Sequence, residues 1–80
     1  MENEYELVMS PLCQRLTRDG KTIEVEIYRG PDSDWHLEVV DEFGNSTVWT
    51  DQFPTDKEAF EELEATLKEE GIGSLIGPLA

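Results

Sequence analysis

"KTIEVEIYR", Lys21 to Arg29, decides the fold. Ile23, Val25 and Ile27 alternate with Glu24, Glu26 and Tyr28. A period of two sets the aliphatic side chains on one face of a β-strand and the polar ones on the other. On its N-terminal side "RDGK" (Arg18–Lys21) holds Asp-Gly, the dipeptide that tolerates the positive φ angles of a tight hairpin turn. An antiparallel strand is therefore expected before it, over Leu12–Thr17. On its C-terminal side "GPDSD" (Gly30–Asp34) is turn chemistry. A third strand then begins at Trp35, where Trp35, Leu37 and Val39 alternate with His36 and Glu38. "DEFGN" (Asp41–Asn45) offers another turn, and "STVWT" (Ser46–Thr50) reads as a fourth strand of β-branched and aromatic residues. "WHLEVVDEFGNSTVW", from Trp35 to Trp49, is in this reading a β-hairpin.

After "DQFP" the period changes. In "TDKEAFEELEATLKEEG", Phe60, Leu63 and Leu67, with Ala59 beside them, share one face at helical spacing, and Glu61, Glu62, Glu64 and Glu69 face away. Thr55 followed by Glu58 fits a capping box, Asp56 places a negative charge at the positive end of the helix dipole, and Gly71 is a C-terminal stop. The predicted architecture is α+β: an antiparallel β-meander of three to four strands with one C-terminal helix packed on one sheet face.

The predicted core is Ile23, Val25, Ile27, Trp35, Leu37, Val39, Phe60, Leu63 and Leu67, with Leu12, Val48 and Trp49 as further candidates. The opposite face carries Glu24, Glu26, Tyr28, His36, Glu38 and Val40. "SPL" (Ser10–Leu12) reads as an entry turn because Pro11 lacks an amide proton. Residues 1–9 read as a flexible arm. Residues 72–80 form an apolar tail whose Ile72, Leu75 and Ile76 either pack over the sheet or engage another molecule.

Eighty residues make a single domain too small for a deep enclosed active site. Nineteen acidic residues against six basic ones leave a net charge of -13. Such a chain repels phosphate backbones and anionic membrane surfaces, so neither nucleic acid nor membrane is an expected partner. The single Cys13 excludes an intramolecular disulfide. An acidic N-terminus without an apolar run makes the cytoplasm the expected location.

His36 is the only imidazole, and Glu38 shares its strand face. No second histidine or cysteine completes a zinc set. Asp32, Asp34, Asp41 and Glu42 stand at the two ends of one strand without the EF-hand spacing, so they read as turn aspartates that bond their own backbone. Cys13 reads as a strand cysteine, and Ser10, Ser33, Ser46 and Ser74 lack the sequence context of an activated serine. The glycines of "GIGSLIG" follow a helix, unlike those of a phosphate-binding loop. No catalytic, cofactor-binding or metal-ligating residue is expected.

At "SPL", "DGKTIEVEIYRG", "WHLEVVDEFGNSTVW" and "FPTDKEAFEEL" the chain resembles a group of short, acidic hypothetical proteins of bacteria. The resemblance implies a compact sheet-plus-helix domain and carries over no functional residue. The function expected is a small interaction module without enzymatic activity. It would bind a protein partner, a basic one in particular, or form a homodimer through its open sheet face, an edge strand or the apolar tail. Glu24, Glu26, Tyr28, His36, Glu38, Trp49, Leu75 and Ile76 are the candidate surface. Two alternatives stand beside it: an acidic inhibitor that mimics nucleic-acid charge, and a small ligand binder or enzyme using His36 with Glu38.

Overall fold

A computed structural model describes residues 7–77. Its strands are β1 (Val8–Met9), β2 (Gln14–Arg18), β3 (Lys21–Arg29), β4 (His36–Asp41) and β5 (Ser46–Val48). They are followed by helix α1 (Asp56–Glu70) and a short 3₁₀ helix, Ile72–Leu75. The nine-residue β3 is the spine of the sheet. All pairings are antiparallel: β4 and then β5 lie on one side of β3, and β1 and β2 follow each other along its other edge. The Asp-Gly turn between β2 and β3 forms as its sequence dictates, with Asp19 at φ 53° and Gly20 at φ 76°.

The first edge departs from expectation. Instead of one strand over Leu12–Thr17, two short strands pair with β3: Val8 and Met9 face Arg29 and Tyr28, and Gln14 to Arg18 face Val25 to Lys21. Val8 and Met9 therefore do not belong to an arm; residues 1–6 lie outside the described residues. The break between the strands is the Ser10–Cys13 turn. Pro11 cannot donate to a ladder, and the groups left over on β3 are met in other ways. The Ser10 amide donates to the Ile27 carbonyl at 2.9 Å. The Ile27 amide donates to Cys13 Sγ at 3.2 Å, and the thiol donates back to the Ile27 carbonyl at 3.4 Å. Ser10, only 4% exposed, accepts from the Leu12 amide at 2.9 Å and donates from Oγ to Asp56 Oδ2 at 2.7 Å. That last bond ties the edge turn to the start of α1.

The α1 start uses half of the expected box, for Thr55 Oγ1 accepts from the Glu58 amide at 3.1 Å, while Asp56 is engaged by Ser10. The helix crosses β3 and β4 on one face. Ile23, Val25, Ile27, Leu37, Val39, Ala59, Leu63, Leu67, Ile72 and Leu75 form one core. Each fully buried aliphatic side chain stabilises by roughly 1.5–3 kcal/mol before entropy is counted. Leu12, Trp35, Trp49 and Phe60 pack half-buried against it. Val48 does not join it, being 50% exposed on the other face. The third strand also starts one residue later than expected: Trp35 forms an isolated bridge with Phe53.

Residues 72–77 of the tail turn back onto the core and carry Ile72 and Leu75 into it; residues 78–80 lie outside the described residues. Asp41 holds Gly77. This carboxylate, at the end of β4 and 4% exposed, accepts the amides of Phe43 at 2.9 Å and Asn45 at 2.8 Å, the Asn45 side-chain amide at 3.1 Å, and the Gly77 amide at 2.6 Å. Gly77 must lack a side chain, because a Cβ there would stand 2.7 Å from Asn45 side-chain atoms.

Candidate interaction surface

Side chains paired across an antiparallel sheet share a face, so the register assigns the side of the sheet away from α1. Met9, Tyr28 and His36 form one row across it. Glu26, Glu38 and Val48 form the next, and Arg15, Glu24, Val40 and Ser46 the third. The sequence reading thus placed Glu24, Glu26, Tyr28, His36 and Glu38 together correctly. The other three candidates belong elsewhere. Trp49 follows Val48 and so turns to the core side, where it is half-buried. Leu75 is 6% exposed and part of the core, and Ile76 packs against it. The physical reason is the Asp41–Gly77 hydrogen bond, which draws the tail across the core and removes it from the candidate surface.

Four residues in these rows were missed, Ser46 among them. Val48 was legible in the alternation of "STVWT" once Trp49 is set inward. Met9 lay in the stretch read as an arm. Arg15 needed the β2–β3 register, which sets it opposite Glu24.

The charges here are unevenly matched. Arg15 reaches Glu24 Oε2 with Nη2 at 2.7 Å and with Nε at 2.8 Å. Both side chains are exposed, 71% and 46%, so the pair contributes little to stability. Among the described residues Glu38 accepts from a neutral donor alone, the Tyr28 hydroxyl, at 3.0 Å. Glu26 stands directly opposite Glu38, with no hydrogen-bond or ion-pair partner among the described residues. Like charges in directly opposed positions destabilise an antiparallel pair, typically by roughly 0.2–1 kcal/mol. The Tyr28 hydroxyl responds to this environment. Partial burial raises its pKa first, the hydrogen bond to Glu38 and the charges of Glu38 and Glu26 add to the rise, and the group stays protonated. The Tyr28 ring stacks on His36, with centroids 5.5 Å apart and planes at 29°.

No hydrogen bond joins His36 to Glu38 among the described residues, because Glu38 is engaged by Tyr28. Among these residues no set of three or more His, Cys, Asp or Glu converges as metal ligands. Asp41 accepts hydrogen bonds from its own turn, as the turn reading of the aspartates anticipated. None of the described helices is long and apolar enough to cross a membrane. Comparison with protein-family models, curated proteins and solved structures gives no match.

Proposed function

We propose that the chain is a non-catalytic protein-interaction module whose open sheet face binds a partner presenting cationic side chains. The observation that carries this reading is the opposed pair Glu26 and Glu38, of which Glu26 has no hydrogen-bond or ion-pair partner among the described residues. A lysine or arginine entering between them would remove a repulsion that the isolated domain must bear. Its aliphatic stem could lie over Val40 and Val48, and the net charge of -13 would steer the encounter. Self-association through this face is the weaker mode, since two-fold symmetry sets each patch against its own copy and brings glutamates together. A nucleic-acid mimic would call for a more continuous acidic surface than one interrupted by Tyr28, His36, Val40 and Val48.

The test uses synthetic peptides in which valine alternates with arginine or, as a control, with glutamate. Binding of the arginine peptide alone, with amide shifts at Glu26, Glu38 and Val48, is expected. Val48→Lys provides the sharper arm, because it sets a tethered cation opposite Glu38. It should stabilise the free domain by about 0.2–1 kcal/mol and weaken peptide binding about tenfold, equivalent to about 1.4 kcal/mol. Absence of binding, or unchanged binding in the lysine variant, would sink the proposal.

A further inference from the structure

Arg15 and Arg29 make a contrast that charge alone does not explain. Arg15 is largely exposed and pairs with a carboxylate at 2.7 Å. Arg29 is half-buried, yet no carboxylate lies within ion-pair distance among the described residues, in a chain where acidic residues outnumber basic ones by 19 to 6. Its guanidinium lies over the Trp35 ring, 5.4 Å from the centroid. Its one hydrogen bond among the described residues is a long one, 3.3 Å from Nη1 to the adjoining Gly30 carbonyl. A guanidinium carries five donors, so most of them remain available.

Arg29 lines an open surface hollow of about 350 Å³ with Ser33, Asp34, Trp35 and Pro54. Asp34 has no hydrogen-bond or ion-pair partner for its carboxylate among the described residues. The walls are fixed from two directions. Ser33 Oγ accepts from the Gly30 amide at 2.9 Å and donates to the Asp34 carbonyl at 3.1 Å. The Asp34 amide donates to Gln52 Oε1 at 3.2 Å, and Trp35 and Phe53 exchange two backbone hydrogen bonds of 2.9 Å. Because the wall segments are held already, a ligand would not have to bear the full cost of ordering them.

We infer that this hollow binds a small zwitterion of the α-amino-acid type. The carboxylate meets the Arg29 guanidinium, the ammonium meets Asp34, and an apolar side chain lies against Pro54 and the edge of Trp35. The lining carries one cation and one anion, Arg29 and Asp34, which form no ion pair with each other. The protein's overall negative charge adds a selection against free anions, which it repels, while a zwitterion carries no net charge to be repelled. The site lies apart from the open face, since Arg29 follows Tyr28 in β3 and takes the other side of the sheet, so it stands independently of the function proposed above.

Three probes of matched shape test it: L-leucine, isocaproate (leucine without its ammonium) and isoamylamine (leucine without its carboxylate). The signals to follow are the Arg29 Nε–H and Trp35 indole N–H resonances of the isotope-labelled protein. Leucine should give saturable shifts with a dissociation constant of about 1 mM, a modest affinity typical of a small ligand in an open site. Isocaproate and isoamylamine should bind at least about tenfold more weakly, each lacking one charge-assisted contact. Arg29→Gln should abolish the leucine shifts while leaving the remaining amide spectrum in place. Asp34→Asn should narrow the gap between leucine and isocaproate. Equal responses to all three probes, no saturable leucine response, or shifts that survive Arg29→Gln would each overturn the assignment.

Discussion

On the helix side of β3 and β4, Ile23, Val25, Ile27, Leu37 and Val39 are each no more than 1% exposed, and they meet Ala59, Leu63 and Leu67 of α1 in one core. One residue along the same strands, the other face sets Glu26 against Glu38 and leaves the first without an ion-pair or hydrogen-bond partner among the described residues. Both faces hang on the same backbone ladder, so the ladder cannot account for the difference. The core face contributes apolar burial, which scales with area and tolerates few polar groups. The open face retains a repulsion that burial on the far side outweighs. On the reading proposed above, the residues that supply most of the stability and those that would meet a partner are separated by a single residue step, and a change on the open face should alter stability far less than one on the core face.

The largest expected effect comes from removing a contact on the core side. Leu63 is fully buried at the centre of the helix face, so Leu63→Ala should cost about 2–5 kcal/mol, the range for a buried leucine truncated with incomplete relaxation. Typical domains have about 5–15 kcal/mol in total, and one of this size sits toward the lower end. Urea unfolding followed by tryptophan fluorescence measures the loss. A cost under about 1 kcal/mol would mean that the core is not the source of stability.

The Asp41 latch should be intermediate, and it carries a pH signature. Burial by itself would raise this carboxyl's pKa, but hydrogen bonds from Gly77, from Asn45 twice and from Phe43 outweigh it and hold the group below its ordinary value of 3.8. A folded pKa below the unfolded one gives stability that is fully present above the unfolded value and is lost as pH falls through the folded value. The contribution should thus be constant from neutrality down to about pH 5, shrink through the unfolded aspartate value near 3.9, and vanish below the folded one. Asp41→Asn should be less stable at pH 7, with the deficit closing in acid. Comparing urea midpoints of the two proteins across that range checks it, and a deficit independent of pH would contradict the latch. Because Asp41 also fastens Gly77, the variant should lose amide protection at Ile72 and Leu75 first.

How much of this was legible in the sequence depends on the distance over which each feature is decided. The alternation of Ile23, Val25 and Ile27, the Asp19–Gly20 turn and the apolar stripe of α1 are local patterns, and each led to the right element. The face carrying Glu24, Glu26, Tyr28, His36 and Glu38 followed from the same alternation. The broken edge was not legible, because Val8 and Met9 show no period of their own and pair only because the Ser10–Cys13 turn returns the chain to β3. The tail was not legible either. Its position is set by a hydrogen bond spanning 36 residues, and Asp41 resembles any turn aspartate in sequence. The hollow at Arg29 depends on bringing Gly30–Asp34 beside Pro54, and neither stretch announces the other.

The smallest effect, and the one most specific to the comparison, is expected at Glu26. Glu26→Thr removes one member of the opposed acidic pair and supplies a β-branched residue suited to a pleated surface. The variant should be more stable than the original by about 0.2–1 kcal/mol, a gain from deleting a charged group and creating no new contact in the core. Salt separates this mechanism from strand preference alone. If repulsion is the cause, added salt should screen it and stabilise the original protein more than the variant, so that the gap between their urea midpoints narrows with ionic strength. A gap insensitive to salt would reassign the gain to strand preference, and a destabilised variant would show that Glu26 has a supporting role in the fold. In the expected case the same substitution should weaken binding of the arginine peptide, since the residue that costs the free domain stability is the one that a cationic partner neutralises. Opposite signs for folding and binding at one residue are what a face kept for recognition requires, and no substitution on the core side should reproduce them.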